Sequence, residues 1–251
     1  MNFGWIKDSP SDKDLKFSSI QHKIIKLASD NTDSEYYIKE YTPISNQLNL
    51  SSCVGNSSVD ALEILMGQKG NIIQLSRLFA YYNARKYHNA TKVDGGTQIR
   101  YVFDSFKQYG ICPESTWPYD ESQVFKQPIL EAYKEGQDNL ITAYYNIDSN
   151  RCDSIEAAIR ANHPTVFGTG ISQEYLDGKK EVYDIPENIL GYHAQLICGI
   201  RRINGQRQFY IRNSWGNNWC INGHSYMTED YINSNISSDF WVPTLMEELL
   251  I

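Results

Sequence analysis

Three stretches in the first half of the chain place apolar residues at the three-to-four spacing of a helix. After Cys53, the residues Val59, Leu62, Leu65 and Met66 form one stripe, and Gly67 stands where that helix should end. Leu75, Leu78, Phe79 and Tyr82 repeat at i, i+3, i+4 and i+7, and so do Ile99, Val102, Phe103 and Phe106. Thr97 is placed to cap the last of these helices and Gly110 to stop it. Trp117-Pro118-Tyr119 reads as a turn whose aromatic rings pack between two lobes. From Ala143 onward the period shortens towards two. A short helix over Asp153–Ala161 interrupts the strands, and Asn162-His163-Pro164 stops it. TVFGTGI then reads as a buried strand.

Two further strands follow. In LGYHAQLICGI, the residues Ala194, Leu196, Cys198 and Ile200 share one face; in RQFYIRNSWG, Phe209 and Ile211 alternate with Tyr210 and Arg212. The pattern therefore predicts a mainly helical unit over residues 36–148 and a mainly β unit over 149–251, an α+β architecture with a cleft between. Residues 1–35 stand apart. They are polar, with a weakly amphipathic stretch around Ile20, Ile24, Ile25 and Leu27, and Trp5 and Ile6 offer an apolar anchor. Such a terminus either packs loosely or lies along the cleft. No internal repeat, low-complexity tract or long linker is present.

Composition narrows the classes. The 251 residues suffice for a sizeable core, and 18 tyrosines within a 13% aromatic content argue against disorder. A net charge of −7 and a pI near 5.3 argue against a nucleic-acid or anionic-membrane surface. No run approaches the roughly 18 apolar residues of a membrane span. The opening MNFGWIKDSPSDKDLKF lacks the charged-then-apolar order of a secretion signal. The expectation is an intracellular protein, or one exported by a route the sequence does not display.

The five cysteines lie at 53, 112, 152, 198 and 220, with no CxxC zinc spacing, so neither a metal nor a cofactor is expected. With Cys53 set aside, the other four could pair in three ways; Cys198 faces a strand interior, and no obligatory disulfide is expected.

Candidate chemistry gathers around Cys53. A cysteine at a helix N-terminus meets the positive end of the helix dipole, which favours thiolate. Gln47, on the loop feeding that helix, can aim an amide N–H at the oxyanion that the Cys53 N–H also faces. His193 and Asn213 fall on strands that can lie side by side, so the imidazole can take a thiol proton while the amide orients the ring. Trp215 can cover that bond and exclude water. His163 has no partner in any motif and is read as structural.

Gln-x5-Cys, then Gly-x-His-Ala, then Asn-Ser-Trp-Gly, in that order, resembles the papain-like cysteine peptidases, in particular bacterial and viral members without a long pro-region. LSRLFAYYNARKY, DGGTQIRYVFDSFKQYGICPESTWPYD and the late SDFW extend the resemblance from about Tyr36 to Trp241. It implies a papain-like two-lobe fold, with Cys53 as nucleophile, His193 as general base and acid, Asn213 as orienting residue and Gln47 as oxyanion donor. It implies substrate contacts at Gly95 and Gly96, whose backbone would pair with an extended peptide, and at Tyr192 and Trp215. The partner implied is a polypeptide substrate, with intramolecular inhibition by residues 1–35. Several positions depart from the family pattern. Leu50 stands where a disulfide partner is usual, Leu48 and Ser51 replace glycines, Val54 replaces a tryptophan, and Cys220 follows Trp219. The same thiol site could serve an acyltransferase or deamidase, and the fold alone could serve a non-catalytic binding module.

Overall fold

The computed structural model describes residues 3–27 and 34–245. The chain opens with an extended segment, a 3-10 turn at Phe17–Ser19 and helix α1 (Gln21–Leu27), followed by strand β1 (Glu35–Tyr37). Four helices come next: α2 (Cys53–Gln68), α3 (Arg77–Lys86), α4 (Ile99–Gln108) and α5 (Leu130–Gly136). The remainder is β2 (Ala143–Asn146), α6 (Arg151–Arg160), β3 (Thr165–Ile171), α7 (Gln173–Asp177), β4 (Val182–Tyr183), β5 (Gly191–Ile203), β6 (Gln206–Arg212), β7 (His224–Thr228), α8 (Glu229–Asn233) and β8 (Ser237–Thr244). The strands form one eight-stranded sheet ordered β2-β8-β3-β5-β6-β7-β4, with β1 also pairing β5. All pairs are antiparallel except β4 with β7. β1 and β2, both from the first 148 residues, join the sheet built by the second half. No helix among the described residues is long and apolar enough to cross a membrane.

Helix α2 is the centre of the molecule. It packs against α3, α4 and β5, and it is buried on every side from Cys53 to Gly67, not on the apolar stripe alone. Burial all round forces its polar side chains to find partners. Asn56 Nδ2 donates to the Ser52 carbonyl at 3.0 Å, and Ser57 Oγ donates to the Cys53 carbonyl at 3.0 Å. Asp60 and Glu63 meet Arg77 of α3, whose Nη2 lies 2.5 Å from Asp60 and 2.9 Å from Glu63. Arg212, at the end of β6, brings its Nε to 3.2 Å from the other Asp60 oxygen. This buried ionic group ties α2 to α3 on one side and to the sheet on the other.

A local expectation differs from the outcome. Thr97 does not cap α4: Gln98 holds the cap position, and the buried Thr97 hydroxyl has no partner. The Thr97 backbone is instead engaged by residues 4 and 6, which fixes it outside the geometry a cap requires. Trp117 and Tyr119 pack with Leu50, Leu78, Tyr81 and Val124 on the helical side, and Trp117 also packs against the main core. Gly110 follows α4 with φ of 64°, the left-handed conformation its stop role requires. Ile20 and Ile24 are buried while Ile25 is exposed, so the amphipathic stretch docks one face; the Leu27 side chain lies outside the described set.

Removing Arg77 would leave Glu63 buried without its cation. We expect Arg77→Met to cost roughly 3–5 kcal/mol of unfolding free energy, the usual penalty for breaking a buried ion pair on one side. Urea denaturation monitored by circular dichroism measures it, and a loss below about 1 kcal/mol would show that Arg77 is not needed to offset these carboxylates.

Candidate active site

Cys53 is the first residue of α2, and His193 and Asn213 reach it from the sheet. β5 and β6 run antiparallel with Leu196 opposite Arg212, which sets His193 near the residue following β6. His193 Nε2 lies 2.8 Å from Asn213 Oδ1. The Ser214 backbone N–H also donates to that oxygen at 2.8 Å, so the amide is fixed with its carbonyl towards the ring. Nε2 must then carry the hydrogen, leaving Nδ1 with the lone pair in a neutral ring. Nδ1 is buried and has no partner. The adjacent Ala194 N–H points to Cys53 Sγ at 3.5 Å. The Trp215 ring stacks on the imidazole at 4.6 Å between centroids and covers it.

Gln47 is fully buried on the loop before α2. Its Nε2 donates to the Leu50 carbonyl at 2.9 Å, and its Oε1 accepts from Ser214 Oγ at 2.8 Å. The same loop is joined to the strand end by Gln47 N–H donating to the Ser214 carbonyl at 2.9 Å. Side chains that the sequence reading passed over hold the rest of it. Tyr119 Oη lies 2.6 Å from Ser52 Oγ and 2.9 Å from the Gln47 carbonyl. Asp94 accepts the Ser51 N–H at 3.0 Å and the Tyr81 hydroxyl at 2.6 Å. All five cysteines are free thiols, so hydrogen bonds rather than a disulfide fasten this loop. Asp94 directly precedes the glycine pair and Ser214 directly follows Asn213, so both were within reach of motif reading. Tyr119 was legible as part of a buried aromatic turn, but not as a partner of the Cys53 loop. Leu48, where a glycine was expected, adopts φ of 52° with its side chain exposed. That conformation costs an L-residue about 1–2 kcal/mol.

The N-terminal segment crosses this site. The Gly4 N–H faces the Cys53 thiol. Thr97 N–H donates to the Gly4 carbonyl at 2.9 Å, and Ile6 N–H donates to the Thr97 carbonyl at 3.0 Å, in a parallel bridge. Phe3 stands edge-on to His193, 6.5 Å between centroids. Trp5 lies over Gly168, where any side chain would collide with the indole. Its Nε1 donates to Asp239 at 3.0 Å, and its ring stands edge-on to Tyr192 at 6.0 Å. A cavity of about 360 Å³ remains beside it, lined by Trp5, Lys7, Tyr192, Asn235, Ile236 and Ser238. The Cys53 thiol itself is fully buried.

Gly96, at φ of 84°, lies against this segment: a Cβ there would collide with the Gly4 carbonyl, and its N–H donates to Tyr81 Oη at 3.1 Å. Both backbone hydrogen bonds to the segment come from the next residue, Thr97. Tyr192 is half exposed, and the Ile6 side chain is exposed while its backbone N–H bonds the Thr97 carbonyl.

Covering the site changes its electrostatics. Burial pushes the Cys53 thiol up to about 11, against backbone N–H donors that pull it down. Burial also pushes His193 down to about 4, offset by its bond to Asn213. Both shifts have burial as their largest cause, and both favour the neutral forms, thiol and imidazole, while the site is covered.

The match to known proteins agrees with this geometry. Residues 28–244 fit the model of the papain family cysteine proteases. The chain is 29% identical to an uncharacterized peptidase C1-like protein of Acanthamoeba polyphaga mimivirus, over 96% of this chain and 86% of that one. It is 24% identical to cysteine proteinase 2 of Entamoeba histolytica, covering 83% of this chain but only 66% of that longer protein. The crystal structure of xylellain, a cysteine protease from Xylella fastidiosa, superposes with a TM-score of 0.85 at 26% identity, covering 97% of this chain and 96% of that one. With a central helix headed by a cysteine, a mostly antiparallel sheet against it and these relatives, the chain belongs to the papain family of cysteine proteases, hydrolytic thiol enzymes of α+β fold.

Proposed function

We propose that this protein hydrolyses peptide bonds through a thioester on Cys53, with His193, Asn213 and Gln47 in attendance, and that residues 3–8 hold it inactive. The observation that carries the first part is the His193–Asn213 bond. It leaves Nδ1, the unpartnered nitrogen, as the acceptor for a thiol proton, and the neighbouring Ala194 N–H already reaches Cys53 Sγ. In an uncovered cleft the proton passes from Sγ to Nδ1, and the thiolate attacks the peptide carbonyl carbon to form an S–C bond. The Cys53 N–H and Gln47 stabilise the resulting oxyanion. His193 then gives its proton to the departing amine as the C–N bond breaks. Water, losing a proton to His193, displaces sulfur and restores the thiol. Removing Cys53 should abolish turnover, and Gln47→Ala should lower kcat about 10²–10³-fold with folding intact. Turnover by Cys53→Ala would sink the assignment.

The second part rests on coverage. With the thiol near 11, roughly one Cys53 in 10⁴ is thiolate at pH 7. The segment fits only because residue 4 is glycine: a Cβ there would collide with the Ser51 carbonyl. Gly4→Val should therefore undock it at a cost of about 1–3 kcal/mol and speed labelling of Cys53 by an epoxide inactivator at least about tenfold. Equal labelling of the two proteins, read by mass spectrometry, would refute inhibition by this segment.

Docking should also depend on pH. Asp8 accepts the Trp241 indole N–H at 2.7 Å, and its backbone N–H donates to Asp239 at 2.7 Å. Burial, then the Asp239 charge, pushes the Asp8 carboxyl up to about 7, against the pull of Trp241 and Arg100. A carboxyl raised in the docked state favours docking fully below its ordinary value near 4. That contribution falls about tenfold per pH unit above this and is gone beyond about 7. The rate of Cys53 labelling, taken as the ratio of wild type to Asp8→Asn, should rise with pH from about 4 and level off near 7. A flat ratio would exclude Asp8 as the group responsible.

A further inference from the structure

A second cluster of reactive side chains lies away from the cleft. Glu40 comes from the segment after β1, Cys198 from the middle of β5 and His224 from the start of β7. Cys198 Sγ is 3.6 Å from Glu40 Oε1, and His224 Nε2 is 2.7 Å from the same oxygen. All three ligand-type atoms fall within 4.8 Å of one another.

The surroundings orient each of them. His224 Nδ1 lies 3.1 Å from the Asn222 carbonyl, which can only accept, so Nδ1 carries a hydrogen and Nε2 is turned towards Glu40. That is the arrangement found behind metal-binding histidines. The imidazole is stacked on Tyr210 at 4.6 Å and 5° between planes, which fixes its plane. Arg212 holds the other Glu40 oxygen, leaving Oε1 for the cluster.

Between an Nε2 lone pair and a carboxylate 2.7 Å away, something positive must stand: a proton, or a metal ion. Charge counting admits the metal. Arg77 and Arg212 face Asp60, Glu63 and Glu40, which leaves one negative charge over. A divalent ion together with a Cys198 thiolate cancels it.

We propose that Glu40, Cys198 and His224 form a binding site for a thiophilic divalent cation, with Zn²⁺ the ion that a mixed sulfur, nitrogen and oxygen set suits best. Binding replaces the Cys198 thiol proton by the metal, forming an S–metal bond and releasing H⁺, and also releases any proton held on Nε2. Glu40 is the most exposed of the three, so a water completes the coordination from its side. The ion would pin the stretch leading to Gln47 onto β5 and β7. This site does not depend on the peptidase reading of Cys53.

The test uses the full-length chain carrying Cys53→Ala, which removes the thiol beside His193 as a competing ligand. Titration with Co²⁺ should give one equivalent of binding and a thiolate-to-cobalt charge-transfer band that Zn²⁺ displaces. Cys198→Ser should remove the band and weaken Co²⁺ binding at least about a hundredfold, and His224→Gln should weaken it about tenfold or more. Zn²⁺, and not Mg²⁺, should raise the thermal midpoint of the parent. If Cys198→Ser fails to fold, the parent titration and His224→Gln still decide. No charge-transfer band with folded parent protein, or a band that survives loss of Cys198 or His224, overturns the proposal.

Discussion

The contact on which everything else depends is the one between Asp60 and Arg212. Asp60 lies two helical turns below Cys53 on α2, and Arg212 immediately precedes Asn213 at the end of β6. One buried ion pair therefore sets the axial position of the helix that carries the thiol against the strand that carries the amide. A charge pair with no water to replace either partner tolerates little sliding. Arg77 and Glu63 extend the constraint to α3, and the carbonyls of Thr42 and Pro43, both bonded by Arg212, extend it to the stretch entering the Gln47 loop. The imidazole is then located by its neighbours on β5, and its ring is turned by Asn213 and Trp215.

Around the thiol, the loop from Gln47 to Ser52 shows how a site is stiffened without a covalent tie. Its backbone is bonded to Ser214, its hydroxyls to Tyr119 and Asp94, and the Asn49 N–H to Glu121 at 2.8 Å. The left-handed Leu48 costs energy within this loop, and the surrounding bonds hold it there. Order in this loop rests on hydrogen bonds from Tyr119, Asp94 and Ser214.

Much of this was legible in the residues. The helix from Cys53 to Gln68, the strand at Thr165–Ile171 and the neighbouring strands with His193 and Asn213 all follow periods that local side-chain burial imposes. What escaped depends on contacts between distant segments. Thr97 has the right residue type for a cap, but residues 4 and 6 claim its backbone. The helix dipole argument for a thiolate took no account of burial, which pushes the Cys53 thiol up against the backbone N–H groups, Gly4's among them, that pull it down. Glu40, Cys198 and His224 are 158 and 26 positions apart, so no sequence spacing could have announced them. They meet because β1, just before Glu40, pairs with β5, and β6 joins β5 to β7.

The bridge of residues 4–6 to Thr97 belongs to a segment that is already part of the chain and is moored further along. Ile20 and Ile24 are buried, and α1 lies against α6, so the free arc between mooring and cleft is short. Intramolecular docking over such an arc works at an effective concentration of order millimolar, whatever the amount of protein in solution. Contacts too weak to let a separate peptide of the same sequence bind are then strong enough to keep the cleft filled. Dilution does not weaken such docking, whereas a cut between Asp8 and α1 would remove the advantage of tethering and leave the severed piece to its own affinity.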